Sequence, residues 1–157
     1  MWKINTLKKI ILIALASFFV ISCRKDDDEK REALILGTWN LNKIQIISGK
    51  DNSVLFSEAV TDCPDKRTYL FSENQYTLDI FKDNFIGSCV VDETEKGEYT
   101  YDEDQKKITF KSTLTNNAYV VIVNSVTNNE LQLTDSSFSY DGNSDGIPDK
   151  YVMVFNK

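Results

Sequence analysis

The sequence predicts an all-β fold of about eight to ten short antiparallel strands, closed as a barrel or packed as a sandwich. Two observations carry this. Apolar and polar residues alternate with period two in stretch after stretch from Gly37 to the C-terminus, and clusters of Asn, Asp, Gly and Ser punctuate those stretches at near-regular spacing. A third observation concerns what precedes the fold: a short apolar run behind lysines that ends at a cysteine.

In chain order, residues 1–22 read as a secretion leader. Lys3, Lys8 and Lys9 precede an apolar stretch from Ile10 to Ala16 that continues through Phe18, Phe19, Val20 and Ile21. The run is shorter than the ~20 residues that span a bilayer, and it closes on small Ser22 before Cys23. Val20-Ile21-Ser22-Cys23 resembles the lipobox of bacterial lipoproteins, which implies cleavage before Cys23 and acylation of its thiol and amine. Each buried methylene of such chains contributes ~0.8 kcal/mol, so several chains on Cys23 would hold the protein firmly to a lipid bilayer. The next residues, "RKDDDEKRE", cannot bury apolar surface, and residues 23–33 read as the acylated cysteine and a solvated tether. "CRKDDDE" also resembles the export signal of lipoproteins carried to the outer leaflet. It implies an outer-membrane, cell-surface location, with the periplasmic face as the alternative.

Removing residues 1–22 takes Lys3, Lys8 and Lys9 from 18 basic side chains and none of the 24 acidic ones, leaving a formal charge of −9. Such a surface repels phosphate backbones, so a nucleic-acid partner is not expected. The remainder is long enough for one domain with one core, over residues 34–157. With Cys23 lipidated, Cys63 and Cys89 form an even pair in an oxidising compartment, where a disulfide is the default. A redox or metal pair is the alternative, disfavoured by the absence of histidine and of Cys-x-x-Cys spacing.

Glu29 to Ile35 has room for a helical turn or two. "TWNLNKIQII" then alternates through Trp39 and Leu41 and slips by one residue to Ile44 and Ile46, which predicts a bulge or bend near Lys43. "TYLFSENQYTLDIF" supplies two strands around a turn at Ser72 to Asn74, and "GEYTYDEDQKKITFKS" two around Asp102 to Gln105. "AYVVIVNSVTNNELQLTD" turns at Asn128 and Asn129, and "SFSYDGNSDGIPDKYVMVF" reads as a closing hairpin. One face of these strands collects Tyr99, Tyr101, Ile108, Phe110, Tyr119, Val121, Val123, Leu131 and Leu133 as candidate core. Eight-stranded barrels have interiors just wide enough to be filled by side chains or to hold one small ligand.

Several of these stretches, in this order, resemble lipocalin-like domains. "LILGTWNLNKI" carries their Gly-x-Trp motif as Gly37-Thr38-Trp39, and "CPDKRTYLFSENQYTL" is similar to the Cys-x-x-Asp-x-x-x-x-Phe segment of those domains in bacterial lipoproteins. Cys89, Gly97-Glu98-Tyr99, "KKITF", "LQL" and "YVMVFNK" follow in sequence, so the resemblance runs from Leu36 to Lys157. It implies a small antiparallel lipocalin-like β-barrel, with Gly37 turning the chain into its first strand and Trp39 closing the bottom. It further implies a non-catalytic binding role for something apolar or extended. Glu98-Tyr99 stands where many relatives have tryptophan.

Catalysis finds little support. Without histidine the common general base is missing, and with it the Ser-His-Asp and Cys-His arrangements. The acids Asp92, Glu93, Glu95, Asp102, Glu103 and Asp104 could supply a glycosidase-like pair, but they read as sitting in turns, where acids serve solubility. Two non-catalytic classes remain: a membrane-anchored binder of a small apolar or amphipathic ligand, and a module that engages a protein or glycan partner through its loops.

One stretch has a chemistry of its own. Asp141, Asn143, Asp145 and Asp149 place side-chain oxygens at positions 1, 3, 5 and 9 of a loop with Gly146 at position 6, and Ile147 adds a backbone carbonyl at position 7. These are calcium-loop offsets. The stretch also resembles one unit of thrombospondin type 3 repeats, without the neighbouring units. Val152 at position 12 excludes a full EF-hand. The same residues are those that hairpin loops use for backbone reasons alone, so both readings stand. The domain requires no cofactor, and weakly bound Ca2+ is the one candidate.

Overall fold

Alternation builds the molecule as the sequence predicts, and a single bend in the first strand shapes it. The computed structural model describes residues 34–157; the expected leader, Cys23 and the whole of the expected tether, residues 1–33, lie outside the described residues. Nine antiparallel strands follow in order: β1 (Gly37–Ile47), β2 (Val54–Ala59), β3 (Arg67–Ser72), β4 (Gln75–Asp83), β5 (Cys89–Asp102), β6 (Lys107–Ser112), β7 (Ala118–Val126), β8 (Glu130–Asp135) and β9 (Lys150–Asn156). One short 3-10 turn, Cys63–Asp65, precedes β3. Of the expected helical segment, Leu34 and Ile35 are helical.

Each strand from β3 to β9 pairs with the next, and β9 returns to β1, so eight strands close a ring. Closure removes free edges, which is how small antiparallel barrels avoid pairing with other chains. The ninth strand is the exception. The lower half of β1, Gly37 to Asn40, pairs with β3, whereas its upper half, Lys43 to Ile47, pairs on that same edge with β2. The switch follows the register slip against β9 between Leu41 and Lys43. An extra residue there bends β1, so that β3 diverges and β2 takes its place as a flap.

Inward-facing residues fill the ring. Trp39, Phe71, Tyr76, Ile108, Phe110, Leu131, Leu133 and Phe155 are all buried, with Tyr69 and Tyr99 close behind. Of the expected core face, Tyr101 and Tyr119 are half-buried and packed against that cluster; the rest are buried. The turns fall at Glu73–Asn74, within residues 103–106 and at residues 127–129, matching the expected punctuation.

Two elements differ from expectation. β2 has no counterpart in the sequence reading: Val54, Leu55 and Phe56 are consecutive and all exposed, so they carry no alternation. The closing hairpin has Glu130–Asp135 as its first arm, not Ser137 to Tyr140, and residues 136–149 form one long connection into β9. Acidic and glycine-rich residues there satisfy one another and leave the Phe138 and Tyr140 segment outside the ladder.

Candidate functional site at the barrel mouth

The two ends of the ring are built differently. At the end where β1 starts, the Trp39 indole Nε1 donates to the Ile35 carbonyl at 2.6 Å, within a wholly buried pair. Lys157 lies across this end, its Nζ 4.8 Å from the Trp39 ring centroid and 3.4 Å from the Leu34 carbonyl that accepts from it. Gly37, at φ +116°, makes the turn into β1 beneath the Lys157 side chain, a conformation that favours glycine. Gly37 and Trp39 therefore lie together at the end of the ring where β1 begins, under the Lys157 side chain.

Above this floor the interior is aromatic. Phe110 meets Tyr76 edge-on at 4.8 Å and stacks on Tyr119 at 4.9 Å, while Phe71 meets Tyr99 edge-on at 4.9 Å. Tyr69 sits among Phe71, Phe110 and Phe155 at 5.4, 5.5 and 5.6 Å. Rings at these separations and tilts are in contact, so the lower barrel is packed with side chains.

Away from this floor the inner wall changes character. Tyr69 pairs in register with Leu78, and Leu78 with Glu95, which puts the three in one row across β3, β4 and β5. The Tyr76 hydroxyl donates to Glu95 Oε1, the Tyr119 hydroxyl lies 3.4 Å from the same oxygen, and the Tyr69 and Tyr119 hydroxyls are 3.4 Å apart. Three phenols thus gather about one carboxylate. Burial pushes the Tyr69, Tyr76 and Tyr119 hydroxyls well above the ordinary phenol range. For Tyr76 the bond to Glu95 adds to it, and for Tyr119 the neighbouring Tyr69. Half-buried Ile44, Leu78 and Met153 pack against the same core.

β6 pairs with β5 only from Gly97 onward; just before it the Lys96 carbonyl accepts from the Thr113 amide and hydroxyl at 2.9 and 2.7 Å, and Cys89 to Glu95 lie outside the β5–β6 ladder. At the join, a Cβ on Gly97 would lie 2.1 Å from the Lys111 carbonyl oxygen and 2.7 Å from the Tyr76 ring. Glycine is needed there for the Tyr76 ring to lie over the strand and reach Glu95. On the rim, Arg67 donates through Nη1 to the Pro64 and Lys66 carbonyls at 2.6 and 2.7 Å. Tyr151 is held above its usual range by burial and then by Asp65, with Asp135 acting in the same direction and Arg67 against it.

Loops at this end are stapled. Cys63 and Cys89 form the expected disulfide, with Cα atoms 5.5 Å apart. It ties the 3-10 turn to the foot of the β4–β5 hairpin, whose tip presents Phe85 and Ile86 almost wholly to solvent. That tip is ordered by Asn84, which accepts from the Ile86 and Ser88 amides at 3.1 and 2.8 Å. A shallow depression of about 480 Å³ lies outside the barrel over β3 to β5, bordered by Leu70, Thr77, Lys96 and Gly97.

The acidic loop stands beside the mouth. Asp141 accepts from the Asp145 and Gly146 amides at 3.2 and 2.8 Å, Asn143 from Asp145 at 3.1 Å, and Asp145 from Ile147 at 2.9 Å. Ser144 and Gly146, at φ +58° and +88°, make the turns. Asp149 is 2% exposed; its Oδ2 accepts from the Gly142 amide at 2.7 Å, and its Oδ1 has no hydrogen-bond partner. Among the described residues, no three acidic or cysteine side chains stand together as a ready-made metal cage. The loop rests on the β1–β2 connection, where a Cβ on Gly49 would meet the Pro148 carbonyl at 2.1 Å.

Of the other acids, Asp92 pairs with Lys82 at 2.5 Å and Asp102 caps its own turn by accepting from the Gln105 amide at 2.8 Å. Glu95 alone of that set faces the barrel among phenols. Sequence reasoning grouped it with the solvent acids; its parity with Gly97 and Tyr99 was the available signal.

The family model of the lipocalin-like domain matches residues 35–133. The chain belongs to the lipocalin-like domain family. No curated protein matches it in sequence. Among solved structures, the lipocalin-like domain is similar to a lipocalin-like protein from Bacteroides uniformis, at 16% identity and a TM-score of 0.47 over 79% of this chain and 98% of that one. It is also similar to lobster apocrustacyanin A1, at 11% identity and 0.44 over 84% and 65%, and to H1 crustacyanin from Homarus americanus, at 13% and 0.38 over 76% and 58%. The chain spans less than two thirds of the length of these lobster proteins.

Proposed function

We propose that this protein is an acyl-anchored lipoprotein of the outer membrane, exposed at the cell surface, whose lipocalin-like barrel binds a small amphipathic ligand at its open end. The observation that carries the reading is the Glu95 carboxylate with the Tyr69, Tyr76 and Tyr119 phenols in an inward-facing layer. Ligand sites are mostly apolar surfaces with a few convergent polar groups, and this layer has both. Rings pack the lower barrel, so the ligand sits high: its polar end at Glu95 and Tyr119, its apolar part against Ile44, Leu78 and Met153. The role is binding, without catalysis.

The anchor fits this geometry. The described chain enters at Leu34, on the closed end, so a tether from Cys23 would leave the mouth pointing away from the bilayer. Those eleven residues, 23–33, span at most roughly 36–40 Å. Mass spectrometry of lipids extracted from the purified full-length protein, paired with a titration of Leu78 and Met153 methyl resonances, tests the binding reading. Shifts confined to Trp39 and the closed end would overturn it. Labelling of Cys23 by a radioactive fatty acid in cells, lost in Cys23→Ser, tests the anchor.

A partner-binding reading is favoured by one observation of its own: Phe85 and Ile86 on a stapled hairpin tip, with Leu114, Val54 and Phe56 also exposed on this end. Apolar side chains on a stiff loop suit a protein surface. Phe85→Ser with Ile86→Ser, leaving ligand shifts intact and abolishing a co-purifying partner, would support it.

We also propose that the acidic loop takes calcium, with Asp141, Asn143, Asp145, Asp149 and the Ile147 carbonyl as ligands. What supports this is the Asp149 carboxylate, buried across the neck of the loop with one oxygen bonded to Gly142 and the other without a donor. A buried carboxylate oxygen without a partner is costly, and a cation relieves it. Affinity in the weak extracellular range of about 10⁻⁴ to 10⁻³ M follows from the missing position-12 glutamate. Calorimetric titration should show heat that Asp145→Ala abolishes; equal heats would remove the site.

A further inference from the structure

The charge pattern of the mouth narrows the ligand class. Resting on the reading that the open end is the binding site, we infer that the mouth selects amphiphiles whose polar end is an organic cation, an amine or quaternary ammonium, over those ending in a carboxylate.

Glu95 is the reason. A carboxylate is acceptor-only, so the Tyr76 and Tyr119 hydroxyls that meet Oε1 act as donors, and lone pairs on the carboxylate remain for a further donor. Among the described residues no lysine or arginine is paired with it; the nearest acid-base pair along β5 is Asp92 with Lys82, which faces outward. Asp65 and Asp135 act on Tyr151, and the opposing cation is Arg67, whose Nη1 is held by two backbone carbonyls. Lys66, Lys82 and Lys150 also stand at this end; Lys82 is paired with Asp92 and Lys150 is bonded to Asn52, in a chain that is acidic overall.

The phenol rings add to this. They hold the carboxylate in place through the Tyr76 and Tyr119 hydroxyls, which both meet Glu95 Oε1. Tyr119 is stacked on Phe110, which fixes its ring, and Tyr69 is held among Phe71, Phe110 and Phe155, so neither ring reorganises on binding. A fatty-acid carboxylate at the same place would face Glu95 directly and lose its water for no cationic partner. The half-buried Ile44, Leu78 and Met153 give an alkyl chain its contact in either case, so the head group alone decides the preference.

Octyltrimethylammonium and octanoate, with equal chains and opposite heads, are the probes. Each is titrated into the full chain at neutral pH and low salt, and affinity is read from Leu78 and Met153 methyl shifts. The ammonium should bind at least about tenfold tighter, a preference that shrinks with added salt. Glu95→Gln keeps the size and the acceptor for Tyr76; it should cost the ammonium about tenfold and leave octanoate unchanged or tighter. Equal binding of the two probes, or a Glu95→Gln variant that binds the ammonium as well as the parent, would overturn the charge inference and leave the mouth reading intact. No binding by either probe would overturn both. The comparison of the two probes on the unaltered protein stands even where the variant fails to fold.

Discussion

Replacing Cys63 and Cys89 together by alanine should lower stability by an amount that the chain connectivity sets. The bridge spans a sequence separation of 26 with unremarkable Cα geometry, 5.5 Å. Chain-entropy reasoning for a loop of that length gives about 12 cal/mol/K, or about 3.5 kcal/mol at 25 °C. A domain the size of residues 34–157 has an unfolding entropy of about 260 cal/mol/K near its midpoint, so Tm should fall by about 13 °C. Thermal unfolding followed by far-UV circular dichroism, with urea unfolding beside it, reads both numbers. The size rests on one assumption: that the 3-10 turn and the upper β4–β5 hairpin melt together with the barrel. The upper half of β5 has no β6 partner, so this part of the wall has fewer bonds than the rest. A fall below about 3 °C with an unchanged urea slope would show that the bridge staples a segment that opens on its own, and the reasoning would fail. In that event amide exchange at Asn84 to Ser88 should quicken in the variant while exchange at Phe110 stays as it was.

Gly97→Ala forces a methyl to within 2.1 Å of the Lys111 carbonyl, on backbone that the β5–β6 ladder fixes, and should cost about 3 kcal/mol in urea unfolding; a loss under about 0.5 kcal/mol would refute the close approach. Trp39→Phe removes the indole donor to the buried Ile35 carbonyl and part of the surface under Lys157, and should cost about 2 kcal/mol, with the mouth methyl resonances unmoved. The Tyr69, Tyr76, Tyr119 and Tyr151 phenols are all raised in the folded state. Their contribution is therefore complete below the ordinary phenol value of about 10 and is lost as pH rises through the folded values. Phenolate absorbance should lag behind that of the urea-unfolded chain above pH 10 and then rise together with unfolding. Coincident titration of the two forms would sink this expectation.

The sequence made the barrel legible because its strands are one face in, one face out. Trp39, Leu41, Tyr99, Ile108, Phe110, Val121, Val123, Leu131 and Leu133 all lie buried where alternation put them, and the slip at Lys43 is a real change of register. β2 escaped because an edge flap has no buried face to pattern. The Cys63 and Cys89 pair was legible from compartment logic and parity, not from geometry. Glu95 was harder. A lone acid on the inward parity of a strand looks like the acids beside it, and only the partners on β4 and β7, distant in sequence, distinguish it. The role of Asp149 was half legible: its spacing in the loop was plain, but nothing in the sequence says that it is buried with an oxygen left over.

The bend in β1 links these features. A straight β1 would keep β3 along its whole length and carry the aromatic packing up to the rim. With the slip between Leu41 and Lys43, β3 ends its pairing at Asn40, and Arg67, the first residue of β3, comes to the rim. β2 then covers the upper edge of β1 without a buried face of its own. On the far wall, β6 ends at Ser112 opposite Gly97, which leaves the upper part of β5, and Glu95 with it, outside the β5–β6 ladder. The aromatic packing about Trp39 and Phe110 therefore gives way to a stretch of wall where Glu95 meets Tyr76 and Tyr119. On the proposed reading, a substitution that extended the β5–β6 pairing past Gly97 would cover Glu95 without changing any side chain that the proposed ligand meets.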